Sequence, residues 1–118
     1  MPLRRFPTNS AANLAPNASI RPRPLEGEID LHVSPRLERA LASMIKMRPP
    51  SLIVDPSGVH FIDSSGIAVL IHAMQDVENY GGRLTLSGLN DNVRPILEMA
   101  QLDHFFVIDQ RDGELMAD

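Results

Sequence analysis

The chain has 118 residues, 43% of them hydrophobic and 22% charged, with eleven Lys and Arg against fifteen Asp and Glu for a formal net charge of -4. That length suits one small domain whose single core needs no disulfide or metal staple, and the acidic balance argues against a general nucleic-acid binder. The lack of cysteine excludes a disulfide scaffold, a thiolate zinc site and a cysteine nucleophile.

Residues 1–24 hold five of the ten prolines and four of the eleven basic residues, and no acidic one. Their apolar side chains are too sparse to offset the entropy of ordering, so the segment reads as a flexible tail. Its prolines are expected to break any strand ladder there. Arg4 and Arg5 are followed by no apolar stretch before Pro16, so no secretory signal is read, and the longest apolar run, Ile67 to Ile71, is far short of the roughly 20 residues that cross a bilayer. A cytoplasmic location is the expectation. Residues 25–118 carry net -8, which makes the charge asymmetric along the chain.

From Leu25 the pattern alternates between extended and helical signals. Leu25 to Leu31 reads as a short strand, and Ser34-Pro35 as an N-cap followed by proline at the first helical position. Leu37, Ala40, Leu41, Met44 and Ile45 then fall on one helical face, which Pro49-Pro50 must end. Ser51 to Asp55 reads as a strand covered on both faces, given the unbroken Leu52-Ile53-Val54. The segment PSGVHFID reads as a loop. A second helix is expected from Ser64 to Tyr80, with Ile67, Leu70, Ile71, Met74 and Val77 inward and Gly81-Gly82 at its end. Arg83 to Ser87 is a further strand. Val93, Ile96, Leu97 and Ala100 mark a third helix that must begin near Asn92 to accommodate Pro95. Phe105 to Ile108 is a last strand, before a short acidic tail over 109–118.

Strands separated by helices of this length imply right-handed crossovers and a largely parallel sheet, hence an α/β domain over residues 25–108. Functional groups in such sheets gather at the carboxyl ends of strands. The loop that enters the second helix through Asp63-Ser64-Ser65-Gly66 occupies such a place. Free N–H groups and the positive end of the helix macrodipole favour an anion there, so a phosphate on the Ser64 hydroxyl is expected to meet donors still lacking partners. Plain helix capping by Asp63, Ser64 and Ser65, with Gly66 for close packing, competes with that reading.

Three segments carry a family resemblance: L-E-G-E-I-D at 25–30, L-I-V-D-P-S-G-V-H-F-I-D-S-S-G-I-A-V-L at 52–70 and G-G-R-L-T-L-S-G-L at 81–89. Together they resemble the STAS domain and, within it, the anti-sigma factor antagonists, over about residues 25–108. The resemblance implies a STAS-like single α/β domain, with a mostly parallel or mixed sheet of four to five strands and helices packed against it. It implies phosphorylation of the serine after the motif aspartate, which is Ser64, and partner binding through Asp30, Asp63, Ser64, Ser65 and Gly66. The implied mechanism is partner switching. The unphosphorylated antagonist binds an anti-sigma factor that is also a serine kinase of the histidine-kinase-like ATPase fold, phosphorylation ends the association, and a metal-dependent phosphatase of the PP2C type resets it. The chain would be substrate and ligand rather than enzyme, with no cofactor and no direct contact to nucleic acid.

Rival readings have less behind them. His60, Asp63 and Ser64 lie close in sequence, but hydrolase triads draw on separate elements and the G-x-S-x-G elbow is absent. His32, His60, His72 and His104 lack metal-ligand spacing, and no phosphate-binding glycine motif occurs. The remaining alternative is another STAS role, as a subunit of a lipid-transport ATPase or another regulatory or scaffold module. An unpaired sheet edge leaves a dimer open, since the tail or a second copy could cover it.

Overall fold

The computed structural model describes residues 18–109. In chain order its elements are β1 (Ser19–Ile20), β2 (Glu26–Ile29), α1 (Ser34–Ile45), β3 (Ser51–Val54), β4 (Gly58–Ile62), α2 (Ser64–Asn79), β5 (Arg83–Ser87), α3 (Arg94–Met99) and β6 (Val107–Asp109). Four strands pair in the order β1-β3-β5-β6, and β2 pairs with β4. Every pairing is parallel, as alternating strands and helices require.

Two strands correct the sequence reading. Ser19 and Ile20 pair with Ser51 and Leu52, so the expected strandless tail supplies the first edge of the sheet. The ladder is only two residues long, and Pro22 and Pro24 follow it rather than interrupt it, so no ladder donor is lost. The rest of that expectation, for residues 1–17, lies outside the described residues, as does the acidic tail expected over 109–118 except for Asp109, which belongs to β6.

The second correction is β4, expected as loop. Gly27 pairs with Val59 and Glu28 with Phe61, so His60 is an extra residue in the ladder, a β-bulge. The bulge breaks the two-residue alternation: Val59 and Ile62 are buried, three apart, while His60 and Phe61 face out. A strand without that period carries no periodic signal in its sequence.

The core lies on one face of the main sheet. Leu52 is opposite Leu84 and Val54 opposite Leu86, and all four are buried at 1% exposure or less. Ile53 and Thr85, on the other face, are only half-buried, so the expected double covering of β3 is partial. The helix α2 packs on β4 and β5, and α1 packs on α2. Its buried set is Gly66, Val69, Leu70, Ala73, Met74 and Val77, which turns the apolar face slightly from the expected one and leaves Ile67 and Ile71 half-buried. Leu37 and Leu41 of α1 and Val93 and Leu97 at α3 complete the cluster, while Ala40 and Ala100 are exposed.

The ends of α2 behave as expected. Gly81 follows it at φ 89, the left-handed conformation that a helix ending favours in glycine. At its start, Asp63 is the N-cap. The expected N-cap at Ser34 is corrected: Ser34 is the first residue of α1 and makes no capping bond. The Asp30 carboxylate has already closed the preceding turn, accepting from the amides of His32 at 3.0 Å and Val33 at 3.2 Å.

The β2–β4 pair is fastened to the main sheet by few bonds. The Leu25 amide donates to the Asp55 carbonyl at the end of β3, at 2.8 Å. The Asn90 side-chain amide donates to the carbonyls of Ser57 and Val59, both at 2.8 Å, while its oxygen accepts from the amides of Asn92 and Val93 before α3.

Candidate functional site

Because β2 and β4 are parallel neighbours, their carboxyl ends lie together and each feeds a helix, α1 at Ser34 and α2 at Ser64. The Asp63 amide donates to the Ile29 carbonyl at 3.1 Å, tying the start of α2 to the end of β2. Two helix N-termini thus stand side by side at the end of one ribbon, where α/β folds place their chemistry.

Asp63 Oδ1 organises the α2 terminus. It accepts from the Ser65 amide at 2.9 Å, the Gly66 amide at 3.2 Å and the Ser65 hydroxyl at 2.5 Å. The Ser65 hydroxyl holds the Asp63 carboxyl below its usual range, outweighing partial desolvation, and the amides of Gly66, Ser65 and Leu31 add to the effect. Asp63 is therefore a carboxylate at neutral pH, fixed next to Ser64.

Ser64 is exposed, and among the described residues its hydroxyl has no hydrogen bond. Ser65 is half-buried and bonded both to Asp63 and, at 2.7 Å, to the hydroxyl of Ser34. Gly66 is buried, and a Cβ there would stand 2.7 Å from Ile29 Cγ2 and 2.7 Å from Ile62 Cγ1. It lets α2 approach the ribbon closely and presents no side chain. Asp30 stands at the head of the neighbouring turn, where its carbonyl accepts from the Ser34 hydroxyl at 2.8 Å.

One expectation about this site is corrected. The α2 amides of Ser65 and Gly66 do not await an anion, because the Asp63 carboxylate already occupies both. A phosphate on Ser64 would meet that negative charge, with the amides of Ser65 and Gly66 already taken.

Two neighbours escaped the sequence reading. Ser34 had the appearance of a cap, and nothing in its spacing revealed the contact with Ser65, 31 residues away. Leu31 is 71% exposed beside Asp63, and its only sequence signal is an apolar residue directly after Asp30 in the turn it shares with His32 and Val33. His60 belongs to the bulge of β4, exposed over a surface depression shared with Glu26 and Ser57. Among the described residues no hydrogen bond joins it to Ser64, and no group of three or more metal-binding side chains occurs.

The lowered Asp63 titration predicts a pH dependence. A carboxyl that loses its proton more readily in the folded chain stabilises the fold above its ordinary value of 3.8, and that contribution disappears as pH falls through the folded value. The stability difference between wild type and Asp63→Asn is thus expected to be constant above about pH 5 and to shrink below about pH 4, measured by urea titration across that range. An unchanged difference at low pH would remove Asp63 as the charged cap.

A STAS domain model matches residues 16–114, most of the chain. The chain belongs to the STAS domain family. An anti-sigma-B factor antagonist of Listeria monocytogenes is 28% identical over 89 residues, which cover 75% of this STAS chain and 78% of that protein. The crystal structure of an anti-sigma factor antagonist from Mycobacterium paratuberculosis superposes with a TM-score of 0.68 at 26% identity, covering 84% of this chain and 82% of that one. A sulfate transporter family protein from Wolinella succinogenes is also similar, with a TM-score of 0.54 at 27% identity over 83% of this chain and 89% of that one. These relatives are named as antagonists or transport proteins, not as enzymes. Among the described residues, no helix of this STAS domain is long and apolar enough to cross a membrane.

Proposed function

We propose that this STAS domain is an anti-sigma factor antagonist controlled by phosphorylation of Ser64, acting in the cytoplasm through Asp30, Asp63, Ser64, Ser65 and Gly66. With Ser64 unmodified, the face formed by the two helix N-termini binds an anti-sigma factor, which releases its sigma factor. That partner is also a serine kinase of the histidine-kinase-like ATPase fold, and it transfers phosphate from ATP to Ser64. The modified chain is released, and a PP2C-type phosphatase returns it to the binding form.

The observation that supports this reading is the exposed Ser64 hydroxyl, unbonded among the described residues, immediately after a carboxylate whose charge is fixed by the fold. Such a hydroxyl is accessible to a kinase, and the site changes its charge without any need to refold. Gly66 contributes by setting the height of α2 over the ribbon, and Asp30 by shaping the adjacent turn.

Incubation with the anti-sigma factor kinase and ATP is expected to add one phosphate, located on Ser64 by mass spectrometry and abolished in Ser64→Ala. Since Asp63 and not Ser64 is the cap, that variant should fold within about 0.5 kcal/mol of wild type. Failure of the wild-type chain to accept phosphate would favour a STAS subunit of a transport assembly, the class to which the Wolinella relative points.

A further inference from the structure

We propose that Ser34 is a specificity-determining positioning residue, which together with Asp63 ties down the Ser65 hydroxyl so that a phosphoryl donor finds Ser64 alone. The inference rests on the Ser64 switch proposed above and explains how one of two successive serines is selected.

Ser64 and Ser65 are the same chemical group on adjacent residues, so a kinase that reads sequence alone has little to separate them. Their surroundings separate them. Ser64 is exposed with an unbonded hydroxyl among the described residues, whereas Ser65 is half-buried between Asp63 and Ser34. The Asp63 carboxylate can only accept, so the Ser65 proton is directed to it at 2.5 Å. The 2.7 Å contact with Ser34 must then be donated by Ser34, whose single proton is shared between Ser65 Oγ and the Asp30 carbonyl. Ser34 is 5% exposed, which holds its hydroxyl in place from a different helix.

Phosphoryl transfer needs a hydroxyl free to turn toward the donor, and Ser65 is held inward. The hydroxyl oxygen must point a lone pair at the γ-phosphorus of a nucleoside triphosphate and give its proton to a base on the donor enzyme. As the new O–P bond forms, the bond from phosphorus to the bridging oxygen breaks, and the nucleoside diphosphate leaves with that electron pair. Ser65 has its proton on Asp63 and one of its two lone pairs on Ser34, and both bonds aim the half-buried oxygen away from solvent. It must break both hydrogen bonds and turn outward first, a handicap of about a hundredfold against Ser64.

The test maps phosphate by mass spectrometry on the full chain recovered from the cells that naturally make it, beside Ser34→Ala and Ser34→Thr. Wild type and Ser34→Thr are expected to carry phosphate on Ser64 only, because threonine keeps the hydroxyl. In Ser34→Ala, Ser65 is expected to take about a tenth or more of the total, since one of its two restraints is gone. Phosphate confined to Ser64 in Ser34→Ala overturns this inference and leaves the switch standing. A wild-type chain with no phosphate, or with phosphate on Ser65, overturns the switch and this inference with it. Should Ser34→Ala fail to fold, hydroxyl-proton exchange in the wild type decides by NMR. The Ser65 proton is expected to exchange about tenfold or more slowly than that of Ser64, and equal rates overturn the inference.

Discussion

Gly66→Ala is expected to destabilise the domain by about 1–2 kcal/mol, read as a lower urea midpoint with an unchanged slope. Two effects oppose each other. Alanine is the better helix former by up to about 1 kcal/mol, whereas forcing atoms into a packed core costs about 1–3 kcal/mol. The second wins because the added methyl would meet Ile29 and Ile62 at 2.7 Å, and both side chains are 3% exposed with branched carbons that cannot withdraw. Relief must come from lifting α2 off the ribbon, which would also displace Ser64 from the Asp30 turn. A variant as stable as wild type would show that α2 has room to rise, and the tight seating described above would be wrong.

The second large effect is on binding. Phosphate on Ser64 is expected to weaken the complex with the anti-sigma factor about a hundredfold, and Ser64→Asp, with its smaller charge, about tenfold or more. Phosphorylation adds about -1.5 to -2 charges at neutral pH. The Asp63 carboxylate already holds the amides of Ser65 and Gly66, so those donors are not available to neutralise the added charge. Once a partner covers the site, an uncompensated charge costs roughly 3 kcal/mol or more, which is about two decades of affinity. Isothermal titration against the unmodified chain measures this directly. Equal affinity for Ser64→Asp and wild type would place the contact surface elsewhere on the domain.

Much of this architecture could be read from residue order because its signals are local. Proline after Ser34, Asp63 before Ser64 and glycine after Tyr80 each act on their own stretch of backbone, and the α1, α2 and β5 boundaries follow them closely. The failures share a different cause. β1 exists because β3 offers it a partner about thirty residues onward, and β4 is disguised by a bulge that shifts its inward residues from two apart to three. At the site, Ser64 and its capping aspartate are consecutive and were legible, but the Ser34–Ser65 bond joins two helices and has no trace in either segment alone. The occupied amides were missed for a related reason, since a carboxylate at the cap and an anion beyond it compete for the same donors, and only geometry decides which has them.

The separate pairing of β2 with β4 divides the domain into a chassis and a headpiece. Leu52, Val54, Leu84 and Leu86 anchor the four-stranded part, and Ile29, Val59 and Ile62 carry the headpiece into the same core, with the Leu25–Asp55 bond and the Asn90 clip as its polar ties. A lone strand pair has little stability of its own, so the ribbon depends on that shared core and on α2 to keep its shape. Exchanging exposed residues of the headpiece therefore leaves every ladder bond of the chassis in place, so the two parts are free to vary separately.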